Sequence, residues 1–269
     1  MKSHRPRFPR NFLPGSWQLF LASRIAILLA ILPASALSAE DGTSADEARE
    51  LLEETLRSRG GVHEMGRVME IKRQGELVIA TAEGERRLPM SMTVRPPQDL
   101  MFESGEGEAR VRREVIAGEG WETRGDGPRT GLDEAETAKL IGLSRVDEAF
   151  LARSALAGEL EILGVEDAGP GQVDPELPAA AGRAIILRSP AGAEYRLVVP
   201  AGGGLPLRVD YRHGGESQQE DQLSDVFARW RIVDGLLFPA EVILYRGTQA
   251  LTAGRYNEIT VVLDSNPSP

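Results

Sequence analysis

The side chains that could do chemistry in this chain are few, and their spacing does not suit it. There are three histidines. His4 lies near the start, and His63 and His213 sit in or beside Gly-rich turns with no second ligand at i+2 or i+4, which a zinc site would need. Cysteine is absent, which excludes thiol chemistry, disulfides and a lipid-modified N-terminal cysteine. No Gly-x-Ser-x-Gly, Walker loop or Gly-x-Gly-x-x-Gly follows a strand. Carboxylates are abundant, 41 acidic against 31 basic residues. Glu47, Glu50, Glu53 and Glu54, however, fall on the polar face of a helix, and Glu194, Asp210 and Glu241 alternate outward along strands. Glycoside hydrolysis needs two carboxylates converging from rigid elements. The reading is a non-enzymatic protein with no cofactor and no metal.

The elements that must position any ligand are strands. From Tyr195 to Tyr245 four alternating segments are separated by three turn signals. Tyr195, Leu197 and Val199 run into Pro200-Ala201-Gly202-Gly203-Gly204. Leu205, Leu207, Val209 and Tyr211 alternate with Arg208, Asp210 and Arg212 up to His213-Gly214-Gly215. Val226 to Val233 meets Asp234-Gly235, a hairpin signal in which both residues tolerate positive φ, and Leu236 to Arg246 follows. Period-two alternation gives each strand one apolar and one wet face.

Upstream, Ser44 with Glu47 predicts a capping box. Ala48, Leu51, Leu52 and Leu56 then form one stripe, and Gly60-Gly61 ends the helix. Strands are expected over Val68 to Arg73, Leu77 to Ala82, Arg86 to Val94, Leu100 to Glu103 and Ala109 to Ala117, with Arg95-Pro96-Pro97 forcing a break. Arg124 to Pro128 reads as a hairpin. Between residues 132 and 158, Asp133 with Glu136 and Ser144 with Asp147 look like two helix starts. Residues 169–178 form a Gly/Pro-rich loop, and strands resume at Arg183 to Arg188 and Ile259 to Leu263.

The first 39 residues read as a cleaved secretion signal. Lys2, Arg5, Arg7, Arg10 and Arg24 precede the apolar run Ile25 to Leu32, and small residues follow at Ala34, Ser35, Ala36, Ser38 and Ala39. That run is far short of the roughly 20 residues that span a bilayer, although an uncleaved anchor is the alternative. Cleavage removes five of the 31 basic residues and none of the 41 acidic ones, so the net charge falls from −10 to −15. So acidic a surface repels nucleic acid and anionic headgroups and suits a soluble, periplasmic monomer. Residues 40–269 suffice for one domain.

Gly204-Leu205-Pro206-Leu207-Arg208, followed by Arg231-Ile232-Val233-Asp234-Gly235-Leu236-Leu237-Phe238-Pro239, resembles the C-terminal half of the LolA-like proteins, periplasmic carriers and sensors of lipoproteins and lipids. Gly60-Gly61 and Gly118-Glu119-Gly120-Trp121 add to the resemblance. It implies an α+β fold: a strongly curved antiparallel sheet, an open half-barrel of roughly ten strands, with helices covering the concave face. It also implies that the helical insertion at 132–158 is a lid. The function implied is a soluble periplasmic carrier that shields the acyl chains of a lipid or lipoprotein in traffic toward the outer membrane, with a membrane donor or acceptor protein as a further partner. The alternative is an envelope sensor that reads lipid or lipoprotein and signals by protein contact. A third reading is a structural exported β protein without a ligand.

The candidate ligand-facing positions are Met90, Met92, Phe102, Val115, Leu187, Leu197, Leu207, Val209, Tyr211, Trp230, Phe238, Ile243 and Tyr245. They describe either an ordinary dry core or a cavity for acyl chains, whose burial contributes about 0.8 kcal/mol per CH₂.

Overall fold

The computed structural model describes residues 41–145, 147–168, 182–212 and 222–265. The expected secretion signal, the loop at 169–178 and His213 therefore lie outside the described residues. The first element is α1 (Asp41–Ser58), on which Ala48, Leu52 and Leu56 are buried as the stripe requires. It begins before Ser44, so the capping box is not used. The Ser44 hydroxyl instead accepts a hydrogen bond from the Val165 amide at 2.9 Å, tying the helix to a distant strand. At the other end the Gly61 amide donates back to the Leu56 carbonyl at 3.0 Å. A short helix, α2 (Val62–Gly66), follows, with Met65 buried.

Six strands come next: β1 (Val68–Thr81), β2 (Gly84–Arg95), β3 (Asp99–Ser104), β4 (Val111–Ile116), β5 (Glu119–Arg124) and β6 (Thr130–Gly131). The two segments expected at Val68 to Arg73 and Leu77 to Ala82 are one strand with an irregularity between Gln74 and Gly75. Helices α3 (Glu134–Arg145) and α4 (Glu148–Leu156) interrupt the strands. Asp133 starts α3, its carboxylate accepting from the Glu136 amide at 2.8 Å. The start of α4 is Asp147 and not Ser144, since Asp147 accepts from the Ala149 amide while Ser144 lies in the last turn of α3.

Seven more strands complete the chain: β7 (Glu161–Ala168), β8 (Gly182–Arg188), β9 (Glu194–Pro200), β10 (Arg208–Tyr211), β11 (Leu223–Val233), β12 (Leu236–Arg246) and β13 (Gln249–Leu263). Because β13 pairs with β1, the order is β6-β5-β4-β3-β2-β1-β13-β12-β11-β10-β9-β8-β7. All pairings are antiparallel, and the end strands β6 and β7 do not meet. The result is an open, curved α+β sheet of 13 strands among the described residues. The β11–β12 turn has Asp234 at φ 50° and Gly235 at φ 82°, the two left-handed residues expected there.

Side chains of α1, α3 and α4 join one face of this sheet in a single apolar core, which defines the concave side. The outer face is not wholly wet. Asp210 and Glu241, expected to point outward into water, do lie on the outer face but are buried. Asp210 accepts from the Arg208 Nε at 3.0 Å and from the Ser224 hydroxyl at 2.7 Å, and Glu241 is gripped by Arg229 and Arg255. A carboxylate taken out of water needs such partners.

Candidate functional site

Seven of the candidate residues line the closed core: Met90, Val115, Leu187, Leu197, Val209, Tyr211 and Phe238 are buried there together. Leu52 and Leu56 of α1 and Phe150 and Leu151 of α4 fill the space above them. Helix α4 is therefore part of the core, with Ala149, Phe150, Leu151, Ala152 and Ala155 all buried, and it does not sit over a mouth.

Met92, Phe102 and Trp230 are half-buried against the same core. Trp230 reaches it because Arg229, at φ 54°, breaks the alternation of β11. Val226 points to the outer cluster, yet Phe227 and Trp230 both join the inner one, their rings meeting edge to face at 6.3 Å.

Three candidates are placed elsewhere. Ile243 and Tyr245 lie on the outer face with Val78, Val226, Ala250 and Ala253. Phe238 and Ile243 are five positions apart in one strand, so period two puts them on opposite faces. Leu207 precedes β10 and packs with Ala168, Ala184 and Val198.

Polar groups, most of them outside the candidate set, hold the concave side together. Arg73 of β1 is almost fully buried, ion-paired to Asp147 and stacked 5.6 Å from the Tyr256 ring centroid. Arg153 of α4 donates to the Val68 carbonyl at 2.5 Å. Arg59 lies between the Trp230 and Phe238 rings, 5.4 and 5.2 Å from their centroids, and donates to the Leu237 carbonyl. Burial raises the Tyr195 hydroxyl above its usual pKa, opposed by the charge and hydrogen bond of Arg145 at the end of α3. Burial, then the Asp225 carboxylate 3.4 Å away, pushes Tyr211 well above the usual tyrosine range. The signal for Arg73 was available: it shares strand parity with Ile71 and sits opposite Met92.

The covering is thinner over β2 to β5. There the cross-strand rows run Ile71–Val94–Leu100–Val115–Gly120 and Arg73–Met92–Phe102–Arg113–Glu122. Helix α3 rests on the first row, where Gly120 allows the approach. A Cβ at that position would come within 2.2 Å of the Thr137 hydroxyl oxygen. Met92, Phe102, Leu132 and Ile141 are only partly buried, and Leu143 on α3 is exposed. An apolar surface thus continues from the closed core to the edge of α3. A separate cleft of about 240 Å³ lies between α1, the end of α4 and β7, lined by Ala45, Arg49, Ala155, Leu160 and Ile162. It is smaller than the roughly 300 Å³ at which small-molecule pockets begin.

Three solved structures can be set beside this chain. One is a putative outer membrane lipoprotein-sorting protein domain from Vibrio parahaemolyticus, 7% identical, covering 81% of this chain and 93% of its own, with TM-score 0.47. Another is a LolA superfamily protein from Nitrosomonas europaea, 9% identical, covering 82% and 94%, with TM-score 0.49. The third is a DUF1329 family protein from Desulfovibrio piger, 9% identical, covering 84% and 95%, with TM-score 0.48. The chain is similar to LolA-like structures. No protein-family profile and no curated protein sequence matches it.

Among the described residues no helix is long and apolar enough to cross a membrane, and no group of His, Cys, Asp and Glu is arranged to hold a metal ion.

Proposed function

We propose that this protein is a periplasmic, LolA-like carrier that shelters the acyl chain of a lipid or lipoprotein against the concave face beneath α3, in traffic toward the outer membrane. The observation that supports this reading most is that Met92 and Phe102 on the sheet, Leu132 just before α3 and Ile141 of α3 are all half-buried and continuous with the closed core. An apolar surface in that state is neither a finished core nor a wetted face, and a flexible chain can complete its burial. Each CH₂ taken from water contributes about 0.8 kcal/mol.

The two helices of the insertion then have different parts. The buried ion pair and the Arg153 hydrogen bond fix α4 to β1. Helix α3 lies over β3 to β5, with Leu140 buried and Leu143 exposed, and its displacement would open the Met92–Phe102 row. The lid is therefore α3 alone.

Native mass spectrometry of the protein purified from the periplasm tests the proposal. The expected result is co-purified lipid or acyl-bearing species at one per protein. Ligand-free protein that captures a membrane partner would favour the sensor reading.

A further inference from the structure

Resting on that carrier reading, we infer that the outer end of the Met92–Phe102 row is an anion-recognition site. Arg113 and Arg124 there would bind the carboxylate or phosphate head of an amphiphile whose chain lies on Met92 and Phe102.

The sheet register places the groups. Met92 pairs with Phe102, Phe102 with Arg113, and Arg113 with Glu122. The neighbouring row runs Met90–Ser104–Val111–Arg124. Arg113, Glu122 and Arg124 therefore stand on the concave side, at the edge of the half-barrel where β5 meets only the two-residue β6. The Met92–Phe102 pair thus runs into Arg113, and Arg124 stands at the end of the adjacent row.

The charges there do not cancel. Glu122 is mostly buried and accepts from the Arg113 Nε at 2.8 Å and from the Arg124 Nε at 2.6 Å. One carboxylate between two guanidiniums leaves a net positive charge, in a chain whose overall charge is −10. Each arginine uses only its Nε, and among the described residues no other hydrogen bond or ion pair reaches either guanidinium. Glu122 holds both planes in place while their terminal nitrogens stay open. Planar guanidinium pairs with free terminal N–H groups match the oxygens of a carboxylate or phosphate. A wholly solvated ion-pair cluster would have no reason to close an apolar row.

Competition against N-phenyl-1-naphthylamine, a neutral apolar fluorophore, tests the inference on the purified protein. The competitors share a chain and differ in head: laurate, dodecyl phosphate and dodecanol, with inorganic phosphate as the chainless control. Laurate and dodecyl phosphate should displace the probe at concentrations about tenfold lower than dodecanol, a gap that narrows as salt rises. Arg113→Gln with Arg124→Gln should close the gap and leave dodecanol binding unchanged, while lowering the melting temperature by the stability that Glu122 draws from its two partners. Inorganic phosphate should displace nothing. Equal displacement by acid and alcohol in the wild type, or a gap that survives in the double variant, would overturn the head-group site and leave the carrier reading standing. A wild type that binds neither probe nor competitor would sink both.

Discussion

Arg73 in the middle of β1 and Asp147 at the start of α4 form an ion pair in which the side chains are 1% and 3% exposed. They are 74 residues apart in sequence. Asp147 also caps α4 through the Ala149 amide, and Arg73 also stacks on Tyr256. One carboxylate thus fixes both where the helix begins and where it sits on the sheet. Asp147→Ala should cost about 3–5 kcal/mol, because it takes a buried carboxylate away from the Arg73 guanidinium and the cap away from the helix. Arg73→Met combined with Asp147→Ala should recover much of that loss, since apolar replacements of a buried pair are well tolerated. Urea denaturation of the two single variants and the double measures the coupling. Additive losses would mean the pair does not hold α4.

The contact of α3 with the sheet is tested at Gly120. A Cβ there meets the Thr137 side chain, so Gly120→Val should push α3 off β5 and leave α4 in place. Hydrogen exchange should speed up across residues 134–145 and stay slow across 148–156. Loss of protection in both helices together would make them one unit.

The Arg113–Glu122–Arg124 cluster makes stability depend on acid. Glu122 is held below the ordinary glutamate value of 4.5 by its hydrogen bonds from Arg113 and Arg124. A carboxylate whose pKa is lower folded than unfolded adds stability above its unfolded pKa and loses it as the pH falls through the folded one. Wild type should therefore lose stability below about pH 4.5 more steeply than Glu122→Gln. Thermal melts from pH 7 to 3 would show it, and parallel curves would rule out this contribution.

The turn at Asp234-Gly235 is a local check on register. Gly235 has φ 82°, so Gly235→Val should cost about 1–2 kcal/mol. An unchanged melting temperature would place the turn elsewhere.

Much of the sheet was legible because its signals are local. Alternation marked β2, β8, β9 and β12, and Asp234-Gly235 marked a turn that the structure keeps. What was missed depended on distant partners. Strand β7 has an irregularity between Ile162 and Gly164 that interrupts its alternation, and its Val165 amide is satisfied by Ser44 of α1. Ser44 looked like a cap because a hydroxyl three residues before a glutamate usually is one. The candidate site was legible strand by strand but not across strands. Phe238 and Ile243 are both apolar and strand-borne, and only counting by two separates their faces. Trp230 is inward through the left-handed Arg229, which no pattern of residue types announces. Arg73, Arg113 and Glu122 were passed over because charged residues are ordinarily assigned to water.

The most direct test of the carrier account is a titration of a fluorescent fatty acid into wild type, Phe102→Asn and Ile243→Asn, with stability measured in parallel. Phe102 belongs to the half-buried row, so an amide there can stay partly solvated. Ile243 lies in the separate outer cluster, where an unpaired amide costs roughly 1–3 kcal/mol. On the carrier account, wild type should bind one fatty acid, Phe102→Asn should weaken binding about tenfold, a loss of about 1.4 kcal/mol of binding free energy, with little loss of stability, and Ile243→Asn should lower stability and leave affinity unchanged. A wild type that binds no fatty acid, or an Ile243→Asn variant that loses affinity as much as Phe102→Asn does, would contradict it.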